Sequence, residues 1–369
     1  MFDNVKKNFG FGCMRLPMIG TDVDYAQFNK MIDLFIANGF NYFDTAHGYL
    51  RGKSETALRD CLVNRYPREK FILTDKLSDS YFHTAADVRP FLLSQLDICG
   101  VEYFDFYLMH ALNRNNYEQF KRCHAYEQLL DLKNEGKIKH VGMSFHDTAD
   151  VLDRILTECP LIEVVQIQFN YLDFEDPSVQ SKKCYDVCRK HNKPVIVMEP
   201  VKGGHLVNLP ENARKHFDAI GSASAASYAI RFAASFDGVF MVLSGMSDIS
   251  QMEDNISYMK SFVPLDGNEM RAVMNVCGVL KGRDLISCTA CRYCTDGCPQ
   301  SISIPDLFAC MNSKSIYHDW NADYYYNEVH TKSGAKASTC IECGKCETAC
   351  PQHLPIRKLL KDVAKVFEK

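Results

Sequence analysis

Eight of the chain's 17 cysteines stand in two copies of one spacing. Cys288, Cys291, Cys294 and Cys298 follow C-x₂-C-x₂-C-x₃-C and precede Pro299; Cys340, Cys343, Cys346 and Cys350 repeat the pattern before Pro351. Two-residue spacing lets three thiolates of one loop close on one face of a cubane, while the x₃-C-P step presents the fourth thiolate away from that loop, where it serves a second cluster. The expected ligand sets are therefore interleaved: Cys288, Cys291, Cys294 and Cys350 for one 4Fe–4S cluster, and Cys340, Cys343, Cys346 and Cys298 for the other. Structural zinc sites pair two C-x₂-C hooks and leave the third evenly spaced cysteine and the repeated C-P unexplained. Cys277, Cys310, the Cys184/Cys188 pair and the other scattered cysteines fit no ligand spacing and are expected to be buried thiols.

A second group of residues is spread over the first third of the chain. Asp44, Lys76 and His110 end the apolar runs NYFDTA, FILTDKL and FDFYLMHAL, and Tyr49 follows Asp44 in a loop. Ionisable groups ending three successive apolar runs converge on one spot if the runs are neighbouring strands, and buried Asp and Lys are costly unless they pair. The chemistry such a group supports is carbonyl reduction. A free phenol has a pKa of about 10; an adjacent Lys76 ammonium is expected to lower that of Tyr49. Tyr49 then acts as proton donor to a carbonyl oxygen, Asp44 holds Lys76, and His110 orients the same oxygen.

These residues need a scaffold with many parallel strands. Up to about residue 262, eight runs (FGCMRLP, NYFDTA, FILTDKL, FDFYLMHAL, HVGMSFH, VVQIQFNYL, PVIVMEP and VFMVLSG) alternate with segments of helical period. In the first helical segment Phe28, Met31, Ile32 and Phe35 recur at i, i+3, i+4 and i+7, the spacing of one buried face. Near-continuous apolar strands alternating with helices imply a parallel sheet, and eight units in this length match a closed barrel. No GxGxxG follows the first run, against an open doubly wound sheet. The fold class expected is α/β: a (β/α)₈ TIM barrel over 1–265, a linker helix over 266–283, and a smaller C-terminal helical ferredoxin-like iron–sulfur domain over 284–369. The net charge of −4 provides no field to recruit nucleic acid, no apolar run approaches the ~20 residues of a membrane span, and the start MFDNVKKNFGFGC lacks a signal's apolar core, so a cytoplasmic protein is expected. The composition, 46% hydrophobic and 24% charged, excludes a disordered or collagenous chain.

The order NYFDTAHGY, ILTDKL, FYLMHAL, with GKSETALRDCL between the first two, resembles the aldo/keto reductase family over about residues 5–262. The cysteine runs resemble a two-cluster ferredoxin module over about residues 284–358, of the helical type found fused to redox enzymes. The first resemblance implies a (β/α)₈ barrel with a catalytic tetrad at Asp44, Tyr49, Lys76 and His110 and a nicotinamide cofactor. Ser144 and Gln166 then hold the carboxamide, with Phe145 standing where the family has Asn; Met198 takes the place of the aromatic beneath the ring; backbone from Val201 through Gly203 and Gly204 approaches the pyrophosphate; and Ser244, Ser247, Asp254 and Asn255 remain for the adenosine end. No cation follows the eighth run at Gly245, Met246 or Gln251, which favours NAD(H) over NADP(H).

Hydride carries two electrons and each cluster one, so a flavin, a substrate radical or a separate route must reconcile the halves. Three functions follow: an iron–sulfur oxidoreductase that reduces a small carbonyl substrate, with Tyr49 as general acid; an electron-transfer protein relaying single electrons to a redox partner or through a flavin; and a non-enzymatic, cofactor-sensing barrel. Clusters near a surface also suggest an anaerobic setting. Arg357, Lys358, Lys361 and Lys365 on the terminal helix form a candidate docking face for an acidic redox protein, and Phe145, His146, Tyr171 and His47 are the candidate pocket residues.

Overall fold

The computed structural model describes residues 2 and 4–368, apart from 178, 283–284, 287, 289–291, 318–319 and 351–353, and gives backbone alone at 293, 296, 316 and 317. Eight strands close a parallel barrel: β1 (Phe9–Gly12), β2 (Tyr42–Asp44), β3 (Ile72–Leu77), β4 (Phe104–Leu112), β5 (Ile138–Phe145), β6 (Val164–Gln168), β7 (Val195–Met198) and β8 (Val239–Ser244). Each pairs with its neighbours in sequence, and β8 pairs with β1 through Phe9–Val242, Gly10–Leu243 and Phe11–Ser244. The first strand begins two residues before the expected run. The stretch Cys13–Pro17 instead leaves the barrel, and a short antiparallel pair, Met18–Ile19 with Asp22–Val23, follows it.

The period of two along each strand sorts side chains inward and outward. Tyr42, Leu108, Val164, Ile196 and Met241 point inward and form a dry plug, closed at the N-terminal end by Phe2, whose ring lies 4.8 Å from that of Phe106 and 4.9 Å from that of Phe240. Two residues further on, at the C-terminal ends, the same inward register brings up Gly12, Asp44, Lys76, His110, Ser144, Gln166, Met198 and Leu243. Apolar residues thus fill most of the barrel's middle, and the polar side chains Asp44, Lys76, His110, Ser144 and Gln166 gather at its upper mouth beside Met198 and Leu243.

Outside the barrel, helix Tyr25–Ala37 buries Phe28, Met31, Ile32 and Phe35, with Asp24 accepting from the Gln27 backbone N–H at its start. Helix Gly267–Lys281, in the expected linker, packs on helix Glu211–Asp218 and adds Ala272, Val273, Val276 and Leu280 to the barrel's outer core. The second domain is helical, built on Ile304–Tyr317, Trp320–Tyr324 running into a wide turn at Tyr325–His330, and Ile356–Phe367. Its core gathers Leu307, Phe308, Tyr326, Leu360 and Val363, with Phe367 stacked on Tyr326 at 4.4 Å. Three cations of the terminal helix are paired: Arg357 with Glu347, Lys361 with Glu342 and Lys365 with Asp362. That weakens the helix as a docking face. Among the described residues no helix is long and apolar enough to cross a membrane.

Gly142 lets β4, β5 and β6 close on one another. A Cβ there would lie 2.5 Å from Leu108 Cδ2, 2.6 Å from Val164 Cγ1 and 2.8 Å from the Val164 carbonyl oxygen. Gly142→Ala is expected to cost about 1–3 kcal/mol by overpacking. Gly278→Ala, with no atom within 4 Å of the new methyl in helix Gly267–Lys281, should gain about 0.5–1 kcal/mol. Denaturant unfolding of the two variants checks the opposite signs.

Candidate active site

The mouth of the barrel opens into a cavity of about 290 Å³. At its floor Lys76 is fully buried. Its ammonium donates to Asp44 Oδ1 at 2.6 Å, to the Thr45 carbonyl at 2.7 Å and to the Tyr49 hydroxyl at 3.2 Å. An ammonium has three protons, and each here has an acceptor, so the side chain has one orientation. Burial alone would lower Lys76, but Asp44 and Tyr49 outweigh it and hold the amine above its ordinary value. Asp44 is raised by burial against the pull of Lys76, and its second oxygen accepts from Gln166 Nε2 at 3.3 Å.

Tyr49 reaches this point from a tightly turned loop. Thr45 Oγ1 and Ser54 Oγ are 2.7 Å apart and Ser54 Oγ donates to the Cys13 carbonyl, tying the loop's two ends to the β1 exit. Leu50, Arg51 and Gly52, directly after Tyr49, all have positive φ (52°, 58° and 85°). Two non-glycine residues in the left-handed region cost energy, and such strain gathers at functional sites. Other positive-φ residues on the same rim are Ala111 (53°), Glu199 (56°) and Lys202 (47°).

One electrostatic expectation is corrected. The Tyr49 phenol lies above its ordinary value, because burial raises it by more than Lys76 lowers it. It is therefore protonated at neutral pH, and the ammonium's part is to stabilise the phenolate once the proton has left. His110 stands beside it, ring centroids 6.0 Å apart. Burial first, then Lys76 and His146, hold His110 well below its usual value, so it is neutral. Its Nδ1 is 2.5 Å from Ser78 Oγ, which leaves Nε2 as the ring's other polar atom.

The remaining candidates divide. Ser144, Gln166, Met198, Val201 and Gly203 line the cavity; Gly204 follows them outside its lining. Ser144 Oγ accepts from the Ala111 N–H at 2.6 Å. The 199–204 loop is anchored by Lys202, buried on Asp173 at 2.7 Å. Ser244 and Asn255 bond to each other at 2.9 Å, Asp254 accepts from Ser224 Oγ at 2.8 Å, and Ser247 Oγ donates to the Arg15 carbonyl at 3.1 Å. These four do not line the cavity.

Of the candidate pocket residues only His146 lines it. Phe145, adjacent in a strand and so facing the other way, is buried in the outer core; Tyr171 is buried there too. His47 is held by Glu55 at 2.7 Å and packs its ring on Tyr81 and Phe91.

Sequence inspection missed several groups. A cation does stand at the mouth: Arg15, from the loop after β1, lines the cavity 3.8 Å from Glu199, whose carboxyl burial raises and the Gly203 N–H contacts. A search confined to the segment after β8 could not find it. Trp320, Asn321 and Tyr324, from the second domain, complete the wall. Asn115 Nδ2, on the loop after His110, donates at 3.0 Å to the carbonyls of both Glu328 and Val329, and Asn113 bonds the Tyr324 hydroxyl.

The cysteines expected to hold one cluster, Cys298, Cys340, Cys343 and Cys346, line a single small cavity of about 20 Å³, with Pro299, Ile302, Ile304 and Leu360 around them. Four thiols converging in an apolar shell fit a cubane's ligand set. Of the other set, Cys294 and Cys350 are buried in the second domain's core and Cys288 packs against it, while Cys291, like Pro351, lies outside the described residues. Cys184 and Cys188 are buried thiols, both raised by burial.

Comparison with known proteins matches the same two parts. The aldo/keto reductase family model matches residues 8–276, and that of a 4Fe-4S dicluster domain matches residues 287–355. Among curated relatives, the uncharacterized oxidoreductase YqkF of Bacillus subtilis (strain 168) is 24% identical over 279 residues, covering 67% of this chain and 85% of its own. The (1S)-1,7-diacetoxy-luvungin A aldo-keto reductase of Citrus sinensis is 24% identical over 272 residues, covering 67% and 79%. Among solved structures, the holo form of aldo-keto reductase AKR11C1 from Bacillus halodurans superposes with a TM-score of 0.60 at 23% identity, covering 73% of this chain and 92% of that one. An aldo-keto reductase from Klebsiella pneumoniae in complex with NADPH gives 0.58 at 19%, covering 72% and 89%.

The neutral histidines make stability depend on pH with a definite sign. Burial lowers His146 from 6.5 to about 4, so below pH 6.5 the unfolded chain binds a proton that the folded chain refuses. Its contribution is whole above pH 6.5 and is lost as pH falls towards 4, at up to about 1.4 kcal/mol per pH unit. His146→Phe should therefore flatten the decline in unfolding free energy between pH 6.5 and 4, as measured by denaturant titration across that range.

Proposed function

The chain belongs to the aldo/keto reductase family and carries a 4Fe-4S dicluster domain after its barrel, and on that premise we propose that it reduces a small carbonyl substrate, with Tyr49 as proton donor. One observation carries the reading: the Lys76 ammonium bridges Asp44 Oδ1 at 2.6 Å and the Tyr49 hydroxyl at 3.2 Å at the floor of the cavity. A buried ammonium pinned to a phenol that faces a cavity stabilises negative charge on that phenol, which is what a departing proton creates.

In this reading the carbonyl oxygen lies between the Tyr49 hydroxyl and the His110 ring. His110, neutral and held at Nδ1 by Ser78, offers a hydrogen bond that fixes the oxygen's angle. Tyr49 gives its proton to that oxygen as the carbon is reduced, and the phenolate remains paired with Lys76 until the proton is replaced. Asp44 keeps Lys76 charged throughout.

A nicotinamide, when bound, supplies the hydride. The residues present fit one: Gln166 and Ser144 stand on the cavity wall for its carboxamide and Met198 for its ring, while Arg15 and the Val201–Gly203 backbone are at the mouth for phosphate. With Arg15 at the mouth, the case for NAD(H) over NADP(H) loses the argument drawn from the segment after β8. The clusters, held by the two interleaved cysteine sets, supply one-electron transfer to a carrier or to the site. A second reading, that single electrons enter the site through the second domain, is favoured by the contact of His146 with Tyr324, ring centroids 5.5 Å apart. Turnover with reduced viologen and none with NAD(P)H selects it.

Tyr49→Phe is expected to lower kcat/KM for aldehydes by about 10²–10⁴, assayed anaerobically with NADH and NADPH; undiminished turnover excludes Tyr49 as the acid. Cys298→Ala and Cys340→Ala should each leave about half of the wild-type iron and sulfide and lose the same cluster by electron paramagnetic resonance. Loss of different clusters would mean that the fourth cysteine serves its own run.

A further inference from the structure

We propose that Asp75, Glu55 and His47, behind β3 and away from the cavity, are positioning residues for the Tyr49–Lys76 pair, and that one proton shared by the Asp75 and Glu55 carboxyls keeps the Tyr49 loop clipped to that strand. The inference rests on the carbonyl-reduction reading for its kinetic part alone.

β2 and β3 last pair at Asp44 and Thr74, and β3 runs on to Leu77. Alternate residues of a strand direct their backbone groups to the same neighbour, so those of Lys76 face the side that β2 has left. Side chains stand in for the missing strand. Asp75 Oδ1 accepts from the Lys76 N–H at 2.8 Å, and Gln95 Nε2 donates to the Lys76 carbonyl at 3.3 Å. The residue that pins Tyr49 is thus itself held from behind.

The same two side chains reach the Tyr49 loop. Gln95 Nε2 also donates to Glu55 Oε1 at 3.1 Å, Asp75 hydrogen-bonds Glu55, and Glu55 Oε2 is 2.7 Å from His47 Nδ1. His47 precedes Tyr49 in the loop, and Glu55 follows it in helix Lys53–Leu58. The loop is therefore tied to β3 on both flanks. Leu50, Arg51 and Gly52, between the ties, all have positive φ, and such strain persists only where the surroundings fix it.

Glu55 and Asp75 are both fully buried. Two carboxyls hydrogen-bond only when one carries a proton, and like charges this close do not both ionise. Burial, and then the Glu55 charge, hold Asp75 well above its ordinary value, so the proton sits on Asp75 and Glu55 is the acceptor for it. The other groups around the pair are Cys99 of helix Ala85–Cys99, 3.8 Å from Asp75 Oδ2 and acted on by Arg59, then Tyr107 of β4, and Lys76 and Tyr49 across the strand. An ionised Asp75 would repel Glu55 and open the clip. It would also oppose Lys76 in stabilising a phenolate at Tyr49. A protonated Asp75 does neither, so the proposal places the loss of activity on the alkaline side.

The test compares anaerobically prepared full-length wild type, Asp75→Asn and Asp75→Ala across about pH 5 to 9. It reads amide hydrogen exchange of residues 46–53 and reduction of a panel of small aldehydes and ketones with NADH and NADPH. Asparagine reproduces the protonated acid, accepting from Lys76 and donating to Glu55, with no proton to lose. At the acid end it should match wild type within about threefold in exchange and in kcat/KM. As pH rises, wild type should come to exchange these amides about tenfold faster than Asp75→Asn at the same pH, and lose kcat while Asp75→Asn keeps it. Asp75→Ala should exchange fast at every pH and lose kcat by about tenfold or more with KM little changed. Equal exchange in wild type and Asp75→Asn throughout the range, or an Asp75→Ala loop as protected as wild type's, overturns the proposal; the asparagine comparison decides even where Asp75→Ala does not fold. The expected exchange pattern, with no carbonyl of the panel reduced by wild type, upholds the clip and overturns the carbonyl reading instead.

Discussion

A fully buried ammonium is the constraint around which this molecule is arranged. Removing Lys76 from water costs several kcal/mol, recovered only when geometry is good and every proton has an acceptor. Asp44, the Thr45 carbonyl and Tyr49 provide those acceptors. They come from the end of β2 and the loop after it, so the pairing also sets where that loop starts and where the phenol points. The positive φ angles just after Tyr49 are the local cost of aiming it. The same burial that makes the ion pair strong raises the phenol above its ordinary value, so the site stores a proton on Tyr49 until negative charge beside Lys76 has a use.

The barrel makes this arrangement possible by separating stability from chemistry along each strand. Inward residues near the middle, such as Tyr42, Leu108 and Val164, pack a dry core, and the next inward residues on the same strands are the polar Asp44, His110 and Gln166. The second domain then converts an open mouth into a walled cavity. Its contacts fall on the loop after His110 and on His146, so its position is coupled to two strands that also carry the site. The 4Fe-4S dicluster domain is thus part of the enclosure of the site as well as the holder of the clusters.

What the sequence made legible is local or periodic. Eight apolar runs with helical segments between them specify the barrel, and the inward register at Asp44, Lys76 and His110 follows once strand ends are read. Three ligands of each expected cluster are written in one loop and the C-P step points the fourth at the other run, so the gathering of Cys298 with Cys340, Cys343 and Cys346 around one small cavity was readable although the two runs are far apart in sequence. Non-local groups were not legible. Arg15 reaches the mouth from the loop after β1, and Trp320, Asn321 and Tyr324 arrive from another domain; neither carries a spacing signal. The candidate adenosine residues fail for a different reason: Ser244, Asp254 and Asn255 have partners inside the protein, and residue type alone cannot tell a satisfied polar side chain from a vacant one. Phe145 was misplaced by ignoring strand alternation, since its neighbour Ser144 faces inward. The direction of the Tyr49 shift was misjudged because a nearby cation and burial oppose each other, and their balance depends on depth.

The most direct measurement is an atomic-resolution crystal structure of the anaerobically purified protein. It should place the Lys76 nitrogen within hydrogen-bond reach of both Asp44 and Tyr49, with the phenol oxygen facing the cavity beside the His110 ring. An ammonium turned to solvent, or a Tyr49 ring packed away from that space, would contradict the account.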